Sequence, residues 1–233
     1  MTSIKSIVYA LLVLAGLAGS AMAGPVTIAD YSADYITATQ GQTRAAARVD
    51  GWDYMSNSGT IGTKSDYSSL KGTGNSTFNY TADGNWTSQV AGSEYMYISK
   101  GAILERNAGG TGTRYAIAAY TIQAGEGGAV SIANGFLSVD SPNIGGNGVE
   151  LRVYVNDILK YGGIIVTYSN PIQGLGYSLG TLTAGDTVYV AIGDNGSSAF
   201  DDYHLGYQLT VPEPASLALL GLGALALPRR RRN

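Results

Sequence analysis

The chain has 233 residues, a formal net charge of −3, one histidine and no cysteine. These counts exclude a thiol nucleophile, argue against the usual His or Cys zinc sites, and leave His204 as the only histidine for a Ser-His-Asp triad. The sequence has no P-loop, dinucleotide-binding or G-x-S-x-G motif, and its acidic balance argues against nucleic acid as a partner.

The first 23 residues have the features of a secretory signal peptide. Lys5 supplies a positive charge, residues 7–18 are apolar, and Ala21 and Ala23 form an A-x-A cleavage site. We therefore expect cleavage after Ala23 and export of the rest of the chain. An uncleaved N-terminal anchor is the alternative, but the apolar stretch is short and small residues follow it.

Export would leave an acidic domain, residues 24–211, that is long enough for one packed core. Within residues 24–211, nine basic residues face 16 acidic ones, a balance of −7. This charge argues against anionic lipid as a partner of the domain. Because disulfides are impossible, the stability of the domain must come from its core.

Short runs of alternating apolar and polar residues predict that the domain is all-β. Helical periodicity is missing between residues 50 and 211. We expect eight or more strands in a single antiparallel β-sandwich, with a jelly roll as first choice and another two-sheet sandwich as second. The inward-facing residues should include Val153, Val155, Val188, Val190 and Ile192. Turns are expected at Asn134-Gly135, Asp157-Ile158, Gly162-Gly163, 184–186 and 194–196.

Two segments do not fit the strand pattern. Residues 33–47 are consistent with either a helical turn or a loop. Residues 60–74, TIGTKSDYSSLKGTG, are polar and predict an exposed excursion from the sandwich.

The aromatic composition suggests a binding surface. The chain has 17 tyrosines and two tryptophans but three phenylalanines. Tyrosine and tryptophan combine a flat apolar face with a polar edge, which suits sugar rings. Trp52, Tyr54 and Trp86 lie in the loop-rich first half and are the candidate ligand contacts. The alternative is that tyrosine serves as a strand-face residue of an all-β protein.

The glutamates offer no clear catalytic pair. Four of them precede the C-terminal segment: Glu94, Glu105, Glu126 and Glu150. Glycosidases use two carboxyl groups at a defined separation, and no spacing in the sequence links any two of these four. Glu94 and Glu150 are expected to face solvent.

The loop at residues 193–202 is the candidate metal site. Asp194, Asn195, Asp201 and Asp202 supply oxygen ligands of the kind that calcium prefers. The alternative is that residues 194–196 form a tight turn and that the two later aspartates are solvated. No cofactor other than calcium is expected.

Residues 212–233, PEPASLALLGLGALALPRRRRN, have the composition of a membrane anchor. The apolar stretch at 215–227 is shorter than the roughly 20 residues of a spanning helix, but arginine side chains can extend to the interface. The positive-inside rule would keep the arginines cytoplasmic and place the domain outside.

The order of features in this segment resembles the PEP-CTERM sorting signal of bacterial envelope proteins. The residues that carry the resemblance are Pro212, Glu213, Pro214, Arg229, Arg230, Arg231 and Arg232. The resemblance implies recognition by a membrane protein of the exosortase type, which is thought to cleave near the triplet. An ordinary tail-anchored helix is the alternative.

A second resemblance covers residues 52–209. The stretches WDYM at 52–55, GGNGVELRVYVND at 145–157 and LGTLTAGDTVYVAIGDNGSSAFDD at 179–202 are similar to a jelly-roll module of large secreted bacterial proteins. Such modules often lie beside polysaccharide-active domains. The resemblance supports the fold more than an activity.

The sequence therefore predicts a non-catalytic exported envelope protein in three parts: a signal peptide (1–23, a signal helix), a β-sandwich (24–211) and a sorting and anchor segment (212–233, an anchor helix). The expected partners are an exosortase-type enzyme, the membrane through the anchor, and an extracellular polysaccharide to which the domain adheres. Processing would release the protein to the surface or the extracellular matrix. The alternative is a small secreted polysaccharide-acting enzyme, a glycosidase or lyase.

Overall fold

The computed structural model describes residues 24–35, 50–57, 60–72, 86–90, 94–99, 102–107, 114–139, 147–196 and 203–213. These residues form fourteen strands and one 3-10 helix, Lys64–Asp66, and contain no α-helix. The strands are β1 (Pro25–Asp30), β2 (Trp52–Asn57), β3 (Tyr67–Ser69), β4 (Lys71–Gly72), β5 (Trp86–Val90), β6 (Glu94–Ser99), β7 (Ala102–Asn107), β8 (Tyr115–Thr121), β9 (Gly128–Val139), β10 (Val149–Val155), β11 (Ile158–Val166), β12 (Ile172–Leu182), β13 (Thr187–Gly193) and β14 (Tyr203–Pro212).

The strands pair into two sheets, which confirms the all-β, two-sheet prediction. The eight-stranded sheet has the order β12-β9-β14-β7-β6-β5-β4, and β1 also pairs with β14. The six-stranded sheet has the order β11-β10-β13-β8-β2-β3. Several consecutive strands alternate between the sheets, so neighbours within a sheet are distant in sequence. Residues Thr27–Val211 form one compact unit.

One hydrophobic core draws its side chains from both sheets. Leu151 and Val190 come from the six-stranded sheet, and Ile132 and Leu209 from the eight-stranded sheet. Alternation along each strand directs every second side chain to this core. The predicted inward orientation is confirmed for Val153, Val155, Val188, Val190 and Ile192.

Residues 60–72 correct the prediction of an exposed excursion. Strand β3 pairs with β2 in one sheet, and β4 pairs with β5 in the other, so this segment connects the two sheets. Tyr67 and Leu70 are buried. Two apolar side chains are enough to hold an otherwise polar segment in place, because each buries a large apolar area. Residues 73–74 of the predicted excursion lie outside the described residues.

Residues 31–35 form a turn after β1. The Asp34 N–H donates to the Asp30 carbonyl at 2.9 Å, and the Asp30 carboxylate accepts from the N–H groups of Ser32 and Ala33 at 3.0 and 2.9 Å. Burial tends to raise the pKa of Asp30, but the hydrogen bond from the Gln208 side chain, together with these two backbone bonds, lowers it overall. The remainder of the 33–47 segment is not among the described residues.

Two of the predicted turns are β-bulges instead. Asn134 has a φ of 51° and lies inside β9, where the register with β12 and β14 shifts. Gly163 has a φ of 75° and lies inside β11 at a register shift with β10. Asn and Gly tolerate the left-handed conformation that a bulge requires, so the same residue pair serves a turn or a bulge.

Strand β11 is one of the two edges of the six-stranded sheet, and it combines exposed apolar side chains with irregular pairing. Ile158 and Leu159 are among the exposed large hydrophobic residues. The register with β10 shifts twice along the strand. Bulges and a charged residue such as Lys160 make an edge strand a poor template for further strand pairing.

Candidate functional site

Trp52 and Tyr54 lie in the core, so their predicted surface exposure is wrong. Their relative exposures are 1% and 0%. Both occupy alternate positions of β2, and alternation turns both toward the opposite sheet. Of Trp86, the third candidate aromatic residue, only the backbone position in β5 is described.

Trp52 and Tyr54 belong to a core aromatic cluster that we define as Tyr31, Trp52, Tyr54, Tyr120 and Tyr207. The rings of Tyr31 and Tyr207 stack at 5.4 Å, and Trp52 meets Tyr120 edge-on at 5.1 Å. Burial raises the pKa values of Tyr31 and Tyr207 well above the ordinary tyrosine value, so both hydroxyls stay protonated. The cluster packs the two sheets together and offers no surface to a ligand.

The six-stranded sheet also buries its outward face, around an outer tyrosine cluster of Tyr67, Tyr115, Tyr154 and Tyr189. Tyr67 meets Tyr189 edge-on at 5.1 Å. Residues 61–64 cover part of this face, because the Gly62 N–H donates to the Tyr67 hydroxyl at 2.7 Å and the Lys64 N–H donates to the Asp157 carboxylate at 2.7 Å. A signal for this burial is present in YAIAAYT of β8, which is apolar on both faces.

Gly62 can approach the outer tyrosine cluster only because it has no side chain. Its φ is 98°, and a Cβ atom there would lie 2.9 Å from the ring of Tyr154. An L-residue would therefore meet both backbone strain and a steric clash. This close approach fixes the segment over the sheet.

At the margin of the outer tyrosine cluster, Glu150 holds both Tyr115 and Arg152. The Tyr115 hydroxyl donates to Glu150 Oε2 at 2.5 Å, and Arg152 donates from Nε and Nη2 to Oε1 at 3.0 and 2.8 Å. Gly193 lies between Tyr115 and Glu150 in the strand register, and its missing side chain leaves room for the tyrosine ring. Glu150 is thus partly buried, which corrects the expectation that it faces solvent.

This arrangement stabilises the sheet and does not prepare a nucleophile. Burial, followed by the hydrogen bond to Glu150, raises the pKa of Tyr115 far above its ordinary value. Burial tends to lower the pKa of Arg152, but its bonds to Glu150 and Tyr154 raise it overall. The tyrosine therefore remains a neutral donor, and Glu150 links it to the permanent cation of Arg152.

Glu126 has a comparable structural role in the loop between β8 and β9. Its Oε2 accepts from the Tyr120 hydroxyl and from the Gln123 N–H, both at 2.8 Å. Glu126 and Glu150 hold different loops and strands and do not form a pair. Of Glu94 and Glu105, the structure describes only the backbone positions, which lie in β6 and β7.

In the candidate calcium loop, residues 194–196 form the tight turn that was the alternative. Asn195 and Gly196 have φ values of 47° and 90°, and the Gly196 N–H donates to Asp194 Oδ1 at 3.1 Å. Asn195 and Asn147 exchange side-chain to backbone bonds of 3.1 and 2.6 Å. Asp194 is 1% exposed, and its Oδ2 has no hydrogen-bond partner among the residues that the structure describes. Asp201 and Asp202 lie outside the described residues.

The described residues do not by themselves supply a metal cluster, since no group of three or more His, Cys, Asp or Glu among them is placed to hold an ion. His204 lies on β14 with an exposed side chain. Its Cα partners are Ala102 and Ser138. His204 is therefore a surface residue of a strand, which agrees with the lack of any catalytic motif around it in the sequence.

The sorting segment begins where the folded domain ends. Pro212 is the last residue of β14, and Glu213 follows it. Pro214, the four arginines at 229–232 and the cleavage residues Ala21 and Ala23 lie outside the described residues. None of the residues that the structure describes forms a helix with the length and hydrophobicity that crossing a bilayer requires.

Two solved structures resemble the chain weakly. The catalytic domain of Agl-KA is 20% identical, with a TM-score of 0.26, and the match covers 43% of this chain and 21% of that one. The β-glucosidase from Kluyveromyces marxianus is 11% identical, with a TM-score of 0.37, over 85% of this chain and 20% of that one. The chain thus spans about a fifth of each, and neither likeness supports a functional argument.

A family model gives the functional assignment. No curated protein matches the chain. Residues 210–232 match the PEP-CTERM protein-sorting motif. The protein therefore carries a PEP-CTERM sorting motif, which implies an exported, envelope-associated protein and processing by an exosortase-type enzyme.

Proposed function

We propose that the protein is a non-catalytic envelope protein that displays its β-sandwich outside the cell and associates with extracellular polysaccharide. The sorting motif at residues 210–232 is the observation that carries the proposal. It begins at the C-terminal end of the compact unit, Thr27–Val211, so one domain is presented by one sorting segment. The role of the domain is then adhesive or structural.

The described side chains favour a display domain over a catalytic one. Glu126 and Glu150 accept hydrogen bonds from structural partners, and the tyrosine beside Glu150 is kept neutral. Tyr168, which is 55% exposed in the turn after β11, is an aromatic side chain that a sugar ring could reach.

Processing of the two ends is the first expected result. In a host that carries the sorting enzyme, the mature protein should begin at Gly24 and should lose its tail near the Pro212-Glu213-Pro214 triplet.

Replacing the triplet with alanine should block processing but spare membrane retention, because the apolar stretch is unchanged. Replacing the four arginines with serine should loosen retention and orientation. Fractionation with mass spectrometry of both termini measures these outcomes, and an intact cytoplasmic chain beginning at Met1 would contradict the assignment.

A polysaccharide-acting enzyme is the second candidate, and one observation favours it. In the register of β6 and β7, Glu94 lies opposite Asn107 and Glu105 lies opposite Met96. The two glutamate positions are therefore diagonal neighbours in the register of this strand pair, and glycosidases use a pair of carboxyl groups. Incubating the purified domain with a polysaccharide panel separates the candidates. Binding without product supports the first, and product release that a Glu94→Gln/Glu105→Gln variant abolishes supports the second.

We also propose that the loop at residues 193–202 binds calcium. Within the described part of the chain, the buried Asp194 Oδ2 has no hydrogen-bond partner, and an ion would satisfy it. We expect EDTA to lower the melting temperature and millimolar calcium to restore it, since a ligand of the native state stabilises that state. An Asp194→Asn variant is the matched control and should lose the response. An unchanged melting temperature in the parent protein would leave the turn as the whole explanation.

A further inference from the structure

The sorting motif and strand β14 overlap by three residues. The motif match begins at Thr210, whereas β14 continues to Pro212. The compact unit ends at Val211, directly before the proline of the triplet. The chain therefore has no spacer between the last residue of the compact unit and the segment that the sorting enzyme recognises.

The overlapping residues are held by the sheet. Thr210 is buried, its Cα partner is Ser131 on β9, and its hydroxyl donates to the Ser131 carbonyl at 3.5 Å. Leu209 is fully buried, and Val211 packs against the same core. Strand β14 is an interior strand, with β9 on one side and β1 and β7 on the other. The backbone before the triplet is thus engaged in strand pairing.

An enzyme that breaks a peptide bond must first bind the surrounding backbone in its own active site. Cleavage of folded proteins is concentrated at exposed or locally open segments, and its rate follows the population of the open form when opening is fast. A segment joined directly to an interior strand has little freedom to enter another active site.

We propose that residues 209–211 must separate from the sheet before the sorting enzyme can act at the triplet, so that local opening of the end of β14 sets the rate of processing. The inference rests on the sorting function proposed above. Rupture of the peptide bond is the enzyme's own step, and the domain controls whether the substrate segment reaches it.

A reversible disulfide between β9 and β14 tests the proposal. Ser131 and Thr210 are direct partners in an antiparallel pair, where Cα atoms lie about 4.5–5.5 Å apart, within disulfide range. The chain has no cysteine, so a Ser131→Cys/Thr210→Cys variant can form only this bond. In membranes that contain the sorting enzyme, the oxidised full-length variant should be processed at least about tenfold more slowly than the parent. Reduction should restore the parental rate.

A second disulfide supplies the matched control. Thr121 and Thr187 are partners on β8 and β13, with their hydroxyl oxygens 3.1 Å apart, in the other sheet. The oxidised Thr121→Cys/Thr187→Cys variant should be processed at the parental rate. Equal slowing by both disulfides, or parental processing of the oxidised β9–β14 variant, would overturn the inference.

A linker insertion gives an independent measurement that does not need the disulfide. A flexible Gly-Ser segment between Val211 and Pro212 moves the triplet away from β14, and it should raise the processing rate above that of the parent. An unchanged rate would contradict the proposal. If the parent itself is not processed while its enzyme cleaves another substrate, the sorting function fails, which is a different result from failure of the opening step.

Discussion

A Val190→Asp variant is expected to lose a large part of its folding stability. Val190 is 2% exposed and lies in β13 between Val153 and Ala118 of the adjacent strands. A carboxylate there would be buried without a partner, at a cost of several kcal/mol, while a typical domain is stable by about 5–15 kcal/mol. Urea denaturation followed by circular dichroism measures the change.

The control for this prediction places the same new charge on the surface. Leu159 on β11 is 51% exposed, so Leu159→Asp should change the free energy of unfolding by no more than about 0.5 kcal/mol. If Val190→Asp unfolds at the same urea concentration as Leu159→Asp, the assignment of β13 to the core is wrong.

A Trp52→Ala variant is expected to be less stable by about 3–5 kcal/mol, the usual cost of removing a large buried aromatic side chain. Trp52 contacts the rings of Tyr31, Tyr120 and Tyr207, and its Nε1–H donates to Asp34 Oδ2 at 3.4 Å. The loss therefore leaves a cavity at the junction of both sheets. Thermal denaturation monitored by calorimetry gives the difference.

The same experiment separates a core role from a ligand-binding role. Tyr168→Ala removes an exposed aromatic side chain and should leave the melting temperature nearly unchanged. A Trp52→Ala protein that melts like the parent but no longer binds polysaccharide would show that Trp52 is a surface contact and would contradict its buried position.

The strands of the core were predictable because their signal is local. Val149, Leu151, Val153 and Val155 alternate with larger or polar residues, and this alternation alone assigns the inward face of β10. The same reasoning assigned Val188 and Val190 on β13. A strand with one buried face records that burial in its own sequence.

Burial that depends on distant segments was not predictable in this way. Alternation in the WDYM sequence of β2 places Trp52 and Tyr54 on one face of the strand and Asp53 and Met55 on the other. Alternation alone does not say which of these faces meets the core, and only the pairing of β2 with β8 does so. The outward face of the six-stranded sheet is covered by residues 61–64, whose polar composition gave no sign of the contact. Likewise, Glu150 and Arg152 share a face by spacing, but Tyr115 reaches them only because β13 brings Gly193 between them.

The interior position of β14 also determines how the domain would respond to tension. A load transmitted through the tail pulls this strand along its own axis, and the hydrogen bonds to β9 run perpendicular to that axis. Such a load shears many bonds at once, whereas a load on an edge strand would peel them one at a time. A domain held by its β14 end should therefore resist unfolding when it is pulled through its tail.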